Sequence, residues 1–147
     1  MVLLFHSTRI AYITDSGYWS GDGTETLKNP TLPRTIYRYR VLWDDDEDIN
    51  NNSEPLLTER TIFAVASSPI PDGIKVDASG NVWTGTALGL EVFSQTGKPL
   101  GIIEIEDGVA NFAIQEQQQQ NGEKQKNTIY AMNEKKLLQI DASFSFR

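Results

Sequence analysis

Short runs rich in Val, Ile, Tyr, Phe and Thr recur along the chain, each closed off by turn residues. In Ile36-Tyr37-Arg38-Tyr39-Arg40-Val41, for example, side chains fall into two sets with a period of two, as in a half-buried strand. The runs are "RIAYIT" (9–14), "RTIYRYRVLW" (34–43), "RTIFAVA" (60–66), "GIKVD" (73–77) and "NVWTGT" (81–86). They continue with "GLEVFS" (89–94), "LGIIEIE" (100–106), "ANFAIQ" (110–115), "NTIYAMN" (127–133) and "KKLLQID" (135–141). No stretch shows the apolar stripe of a long helix. The pattern predicts an all-β protein.

The turns between the runs are specific. "ITDSG", "VDASGN" and "FSQTGK" each end a run in a polar turn bearing glycine, a weak internal repeat. In "VDASGNVW", Gly80 can adopt the left-handed conformation and fold residues 73–77 back on 81–84. Hairpins at this density suggest a sandwich or a β-propeller. Two polar segments, 44–55 "DDDEDINNNSEP" and 116–126 "EQQQQNGEKQK", offer nothing to bury and are expected to be disordered loop inserts. The first is not an EF-hand loop. Counting from Asp44, Ile49 stands where glycine is required and Pro55 where glutamate is required.

Composition narrows the function classes. The 147 residues suit one domain or a piece of a larger one, and a 39% apolar content suffices for a core. The net charge is −7 and no basic run is present, which argues against nucleic-acid binding. The absence of cysteine excludes disulfides and thiolate chemistry and fits a reducing compartment, so a cytoplasmic location is expected. The apolar start "MVLL" is too short for a signal core, and no membrane span is expected. The sequon at Asn51 is read as chance.

Asp72 is the leading candidate for chemistry. Pro71 restricts the chain before it, and Gly73 permits a sharp bend or a close backbone approach after it. That setting could orient a carboxylate as a hard-cation ligand or a base. It is equally the setting of an ordinary Pro-Asp-Gly turn, whose aspartate bonds the local backbone. His6 has no visible partner, and "GYWSG" (17–21) is not a nucleophile elbow. Trp19, Trp43 and Trp83 read as packing residues.

At "PDGIKVDASGNVW" (71–83) the sequence resembles the senescence-marker-protein, gluconolactonase and regucalcin family, and looks most like its fungal lactonohydrolase branch. "GLEVFSQTGKPLGIIEI" (89–105), "GVANFAI" (108–114) and "NTIYAMNEKKLLQID" (127–141) continue the likeness, with "IAYITDSG" (10–17) and "TIYRYRV" (35–41) on the other side. The resemblance implies a six-bladed β-propeller whose axial end holds a divalent metal, expected to be calcium. The aspartate of the family's Pro-Asp-Gly is a metal ligand, a role that falls on Asp72. The implied reaction is hydrolysis of a sugar lactone or related lactone, with the metal polarising the carbonyl and Asp72 helping to activate the attacking water.

The departures shape the remaining expectations. The family supplies an asparagine ligand just before the strand that here reads "RIAYITDSG", and residues 1–9 contain none. A glutamate ligand from the first blade has no counterpart either. At about 40 to 50 residues per blade, the chain should hold about three four-stranded blades, the C-terminal half of a propeller. Open blade faces would favour self-association. A non-catalytic binding or scaffold role is the competing expectation, because one carboxylate does not complete a metal site.

Overall fold

The computed structural model describes residues 2–5, 9–17, 33–42, 55–116, 127–133 and 135–142. His6, Trp19, Trp43, residues 18–21 of "GYWSG", and most of the two polar segments lie outside them. The described residues form eleven strands and no helix. These are Val2–Phe5 (β1), Ile10–Asp15 (β2), Thr35–Leu42 (β3), Leu56–Val65 (β4), Ile74–Val76 (β5) and Val82–Thr86 (β6). Gly89–Phe93 (β7), Pro99–Glu104 (β8), Asn111–Glu116 (β9), Asn127–Met132 (β10) and Leu137–Ala142 (β11) complete the set.

They pair into three antiparallel sheets in chain order: β1 to β4, β5 to β8, and β9 to β11. The first two sheets have the expected four strands, and the third has three among the described residues. The leading strands of the sheets lie side by side, β5 against both β1 and β9. Successive four-stranded meanders with their first strands adjacent are what consecutive propeller blades present.

Two elements differ from the sequence expectation. Val2–Phe5 is a strand, pairing Val2 with Ile13 and Phe5 with Ile10, although its apolar run carries no alternation. Its pairing with β2, rather than a pattern in its own residues, makes it a strand. β4 begins at Leu56, earlier than expected, and reaches Leu42 through two register shifts. Glu59 has a φ of 50°, a bulge conformation that lets the longer strand stay paired with β3.

The middle sheet is the core. Every residue of β6 and β7 is buried, because a sheet lies against each of their faces. Toward the third sheet, Trp83, Leu90 and Val92 pack with Val109, Phe112, Ile129 and Ala131. Toward the first, Ile74, Val82 and Phe93 pack with Tyr12, Ile36 and Ala64. The two-residue period sorts these sets, since Val82 pairs with Phe93 while the next pair, Trp83 and Val92, faces the other way.

The β5–β6 hairpin forms as its sequence predicts. Ile74 pairs with Thr84 and Val76 with Val82, and Gly80 has a φ of +80°. Asp77 organises the turn with its side chain. It accepts hydrogen bonds from the Asn81 amide at 2.8 Å, from Asn81 Nδ2 at 3.0 Å and from Trp83 Nε1 at 2.9 Å. One carboxylate thus closes the hairpin and satisfies the indole that the core buries.

The direction of the strands places the connections. The β2–β3, β4–β5, β6–β7, β8–β9 and β10–β11 links all leave from one end of the sheets. The β1–β2, β3–β4, β5–β6, β7–β8 and β9–β10 links leave from the other.

Candidate functional site

Asp72 lies in the β4–β5 link, immediately before β5. The backbone there joins all three sheets. The Asp72 amide donates to Gly85 O at 2.9 Å, and the Gly85 amide donates to Gly73 O at 2.8 Å, extending the β5–β6 ladder. The Gly73 amide donates at 2.8 Å to the O of Ala110, which leads into β9 of the third sheet. From the first sheet, Thr14 Oγ1 donates to Asp72 O at 3.1 Å and Ser16 Oγ donates to Pro71 O at 2.6 Å.

These bonds explain the local sequence. A Cβ on residue 73 would lie 2.7 Å from Ala110 O and 2.7 Å from Asn111 Oδ1, closer than carbon and oxygen tolerate. Glycine is therefore required for the neighbouring sheet to approach. Pro71 has no amide to satisfy in this buried position. Ile70 has a φ of 59°, a left-handed conformation that is costly for a β-branched residue.

The Asp72 side chain faces a cleft of about 590 Å³ at the end of the sheets where these links gather. Ile70 of the same link, Thr86 at the end of β6, and Ser16, Asp107, Asn133 and Lys135 from the other links line it. No donor meets the Asp72 carboxylate among the described residues. Across the cleft, Lys135 Nζ lies 3.4 Å from Asp107 Oδ2 in an exposed ion pair. Asn133 Oδ1 accepts the Lys135 amide at 2.9 Å and the Lys136 amide at 2.8 Å, which fixes the rim.

Two titratable groups outside the cleft lining have shifted pKa values. Lys75 Nζ donates to Asn111 Oδ1 at 3.1 Å and sits 5.5 Å from the centre of the Phe112 ring. Burial holds its pKa below the usual lysine value. Burial also raises the pKa of Tyr12, which packs edge-on against Phe63, while the Arg38 guanidinium pulls it the other way. The consequences for stability are opposite. Between the lowered pKa of folded Lys75 and 10.5, the unfolded chain binds more protons, so stability should rise with pH there. Above 10.0 the folded chain retains the Tyr12 proton longer, so stability should fall. In urea titrations from about pH 8 to about pH 11, Lys75→Met should flatten the rise and Tyr12→Phe the fall. Unchanged pH profiles in both variants would contradict the assignment.

Of the residues singled out in the sequence, Asp72 lies at the cleft and Trp83 is 1% exposed in the core. The sequence reading missed Ser16, Thr86, Asp107, Asn133 and Lys135, although they share a signal. Each sits in or beside a link that opens at the same end of the sheets. No group of three His, Cys, Asp or Glu side chains that could hold a metal occurs among the described residues. Asp72 has the chemistry of a hard-cation ligand, but these residues do not by themselves fit a metal centre.

No protein-family profile matches the chain. It is 33% identical over 86 residues to a lactonohydrolase of Aspergillus oryzae, a match covering 58% of this chain and 16% of that protein. Its fold matches that of a gluconolactonase from Xanthomonas campestris with a TM-score of 0.54 at 19% identity, covering 88% of this chain and 33% of that one. The chain thus spans about a sixth and a third of the lengths of these two proteins. The resemblance read from the Pro-Asp-Gly segment therefore holds, in sequence to a lactonohydrolase and in fold to a gluconolactonase, over part of their lengths.

Proposed function

We propose that the chain is an arc of a six-bladed propeller hydrolase that opens lactones, with Asp72 as a reactive carboxylate at the axial cleft. The observation that carries this reading is Asp72 at a cleft, its backbone tied by hydrogen bonds to Thr14 and Gly85 and that of Gly73 to Ala110, its carboxylate without a donor among the described residues. In lactone hydrolysis, water adds to the carbonyl carbon, the acyl–oxygen bond breaks and the ring oxygen leaves as a hydroxyl. Asp72 accepts the proton from the water, and a proton is returned to the leaving oxygen.

Blades from outside these 147 residues would close the ring and bring the oxygen ligands that a divalent cation needs. Calcium takes six or more oxygens, and one carboxylate offers two. The 147 residues alone should therefore bind calcium weakly and hydrolyse an aldonolactone slowly. Joined to the remaining blades, the protein should be active, and Asp72→Asn should lower kcat/KM by about 10²–10⁴-fold. Full activity of Asp72→Asn in that protein would overturn the reading. So would strong metal-dependent hydrolysis by the 147 residues as a verified monomer. A joined protein with neither activity nor metal binding would favour the scaffold role.

A further inference from the structure

The middle sheet contains a charge that its surroundings do not call for. β7 reads Gly-Leu-Glu-Val-Phe and is buried throughout, yet its central residue is Glu91, only 4% exposed. A buried carboxylate is costly unless hydrogen bonds replace its water. Two backbone amides do so here. The Ser67 amide donates to Glu91 Oε2 and the Ser68 amide to Glu91 Oε1, both at 2.8 Å. Each oxygen of the carboxylate thus takes one of two successive amides.

Those amides belong to the link that delivers Asp72. Further along it, Pro69 O accepts the Ala87 amide at 3.0 Å, and Ser68 Oγ, also buried, accepts the Leu88 amide at 3.2 Å. Both donors come from the β6–β7 link, which forms the adjacent wall of the cleft. Ile70 then takes its left-handed conformation, and Pro71 and Asp72 follow. A strained residue persists only where its surroundings over-determine the backbone. The Glu91 clamp supplies that constraint on the side of Ile70 away from Asp72.

We infer that Glu91 is a positioning residue that sets the path of residues 67–72 and so the place of the Asp72 carboxylate in the cleft. This rests on the proposed role of Asp72 only as far as metal binding is concerned; the path itself is independent of it. A glutamine at 91 has the same shape but only one acceptor oxygen, and its amide group faces the second backbone amide donor to donor.

The test compares Glu91→Gln with Val92→Ala in the full chain. Val92 is the next residue on β7, buried on the opposite face, and its truncation loosens the core without touching the clamp. Amide hydrogen exchange should quicken by at least about tenfold at Asp72 and Gly73 in Glu91→Gln, relative to β6 and β7 amides. In Val92→Ala, adjusted for equal loss of Tm, these two amides should keep their wild-type rank. Terbium(III), an oxygen-seeking luminescent cation, should bind more weakly to Glu91→Gln than to Val92→Ala. The inference is overturned if Glu91→Gln quickens only Ser67 and Ser68, or if Val92→Ala moves Asp72 and Gly73 as much. Unchanged terbium binding in Asp72→Asn would remove the metal role of Asp72, while the exchange comparison would still decide that of Glu91.

Discussion

Trp83→Ala is expected to lower the unfolding free energy by about 3–5 kcal/mol, the usual cost of deleting a large buried aromatic. The indole is 1% exposed and touches the cluster that joins the second and third sheets, including Leu90, Val109 and Phe112. Its removal opens a void between sheets whose positions are fixed by backbone bonds near Gly73 and Val109, so collapse is limited. It also strips Asp77 of the Nε1 donor at 2.9 Å. Against a typical total of about 5–15 kcal/mol, the variant would be marginally folded. Trp83→Phe should lose less, keeping most of the packing and sacrificing the hydrogen bond. Equilibrium urea unfolding of both decides the matter, and a loss under about 1 kcal/mol in the alanine variant would contradict this account of the core.

Gly73→Ala should cost about 1–3 kcal/mol or more as overpacking, and should disturb the cleft as well. The new methyl meets Ala110 O at 2.7 Å and Asn111 Cα at 2.8 Å, at the start of β9 on the neighbouring sheet. Relief requires the second and third sheets to separate, which weakens the 2.8 Å bond from the Gly73 amide to Ala110 O. Gly80→Ala is the informative comparison. Gly80, unlike Gly73, has a positive φ, and its methyl would meet the movable Gln95 side chain, at 2.9 Å. Its cost should be about 1–2 kcal/mol of local strain, without any change at Asp72. Unfolding curves, with amide chemical shifts of Asp72 and Ala110 as the reporter, separate the two. Equal shifts at those amides in both variants would show that Gly73 has no special role in joining the sheets.

The parts legible in the sequence were those written in local chemistry. The β5–β6 hairpin needed only Asp77, Gly80 and the alternation around Val82, and it formed in the expected register. Pro71-Asp72-Gly73 stood out because proline and glycine restrict the backbone in opposite ways, although the reason for Gly73 became visible only with Ala110 beside it. Non-local features were hidden. β1 carries a plain apolar run that becomes a strand through pairing with β2. Within the run "GLEVFS" nothing marks Glu91 out, yet both faces of β7 are covered and its carboxylate serves a link more than twenty positions earlier. Asp107, Asn133 and Lys135 reach the cleft through three-dimensional adjacency that no spacing encodes.

The polarity of the links has a practical consequence for handling the protein. Leu42 and Leu56 bound one polar segment, Glu116 and Asn127 the other, and both pairs lie at the end of the sheets away from Asp72. An affinity tag or fluorophore grafted between either pair would leave the cleft unobstructed. Tethered to a sensor surface through such a graft, the protein would present its Asp72 end to the flowing solution, the orientation that a measurement of ligand binding at the cleft requires.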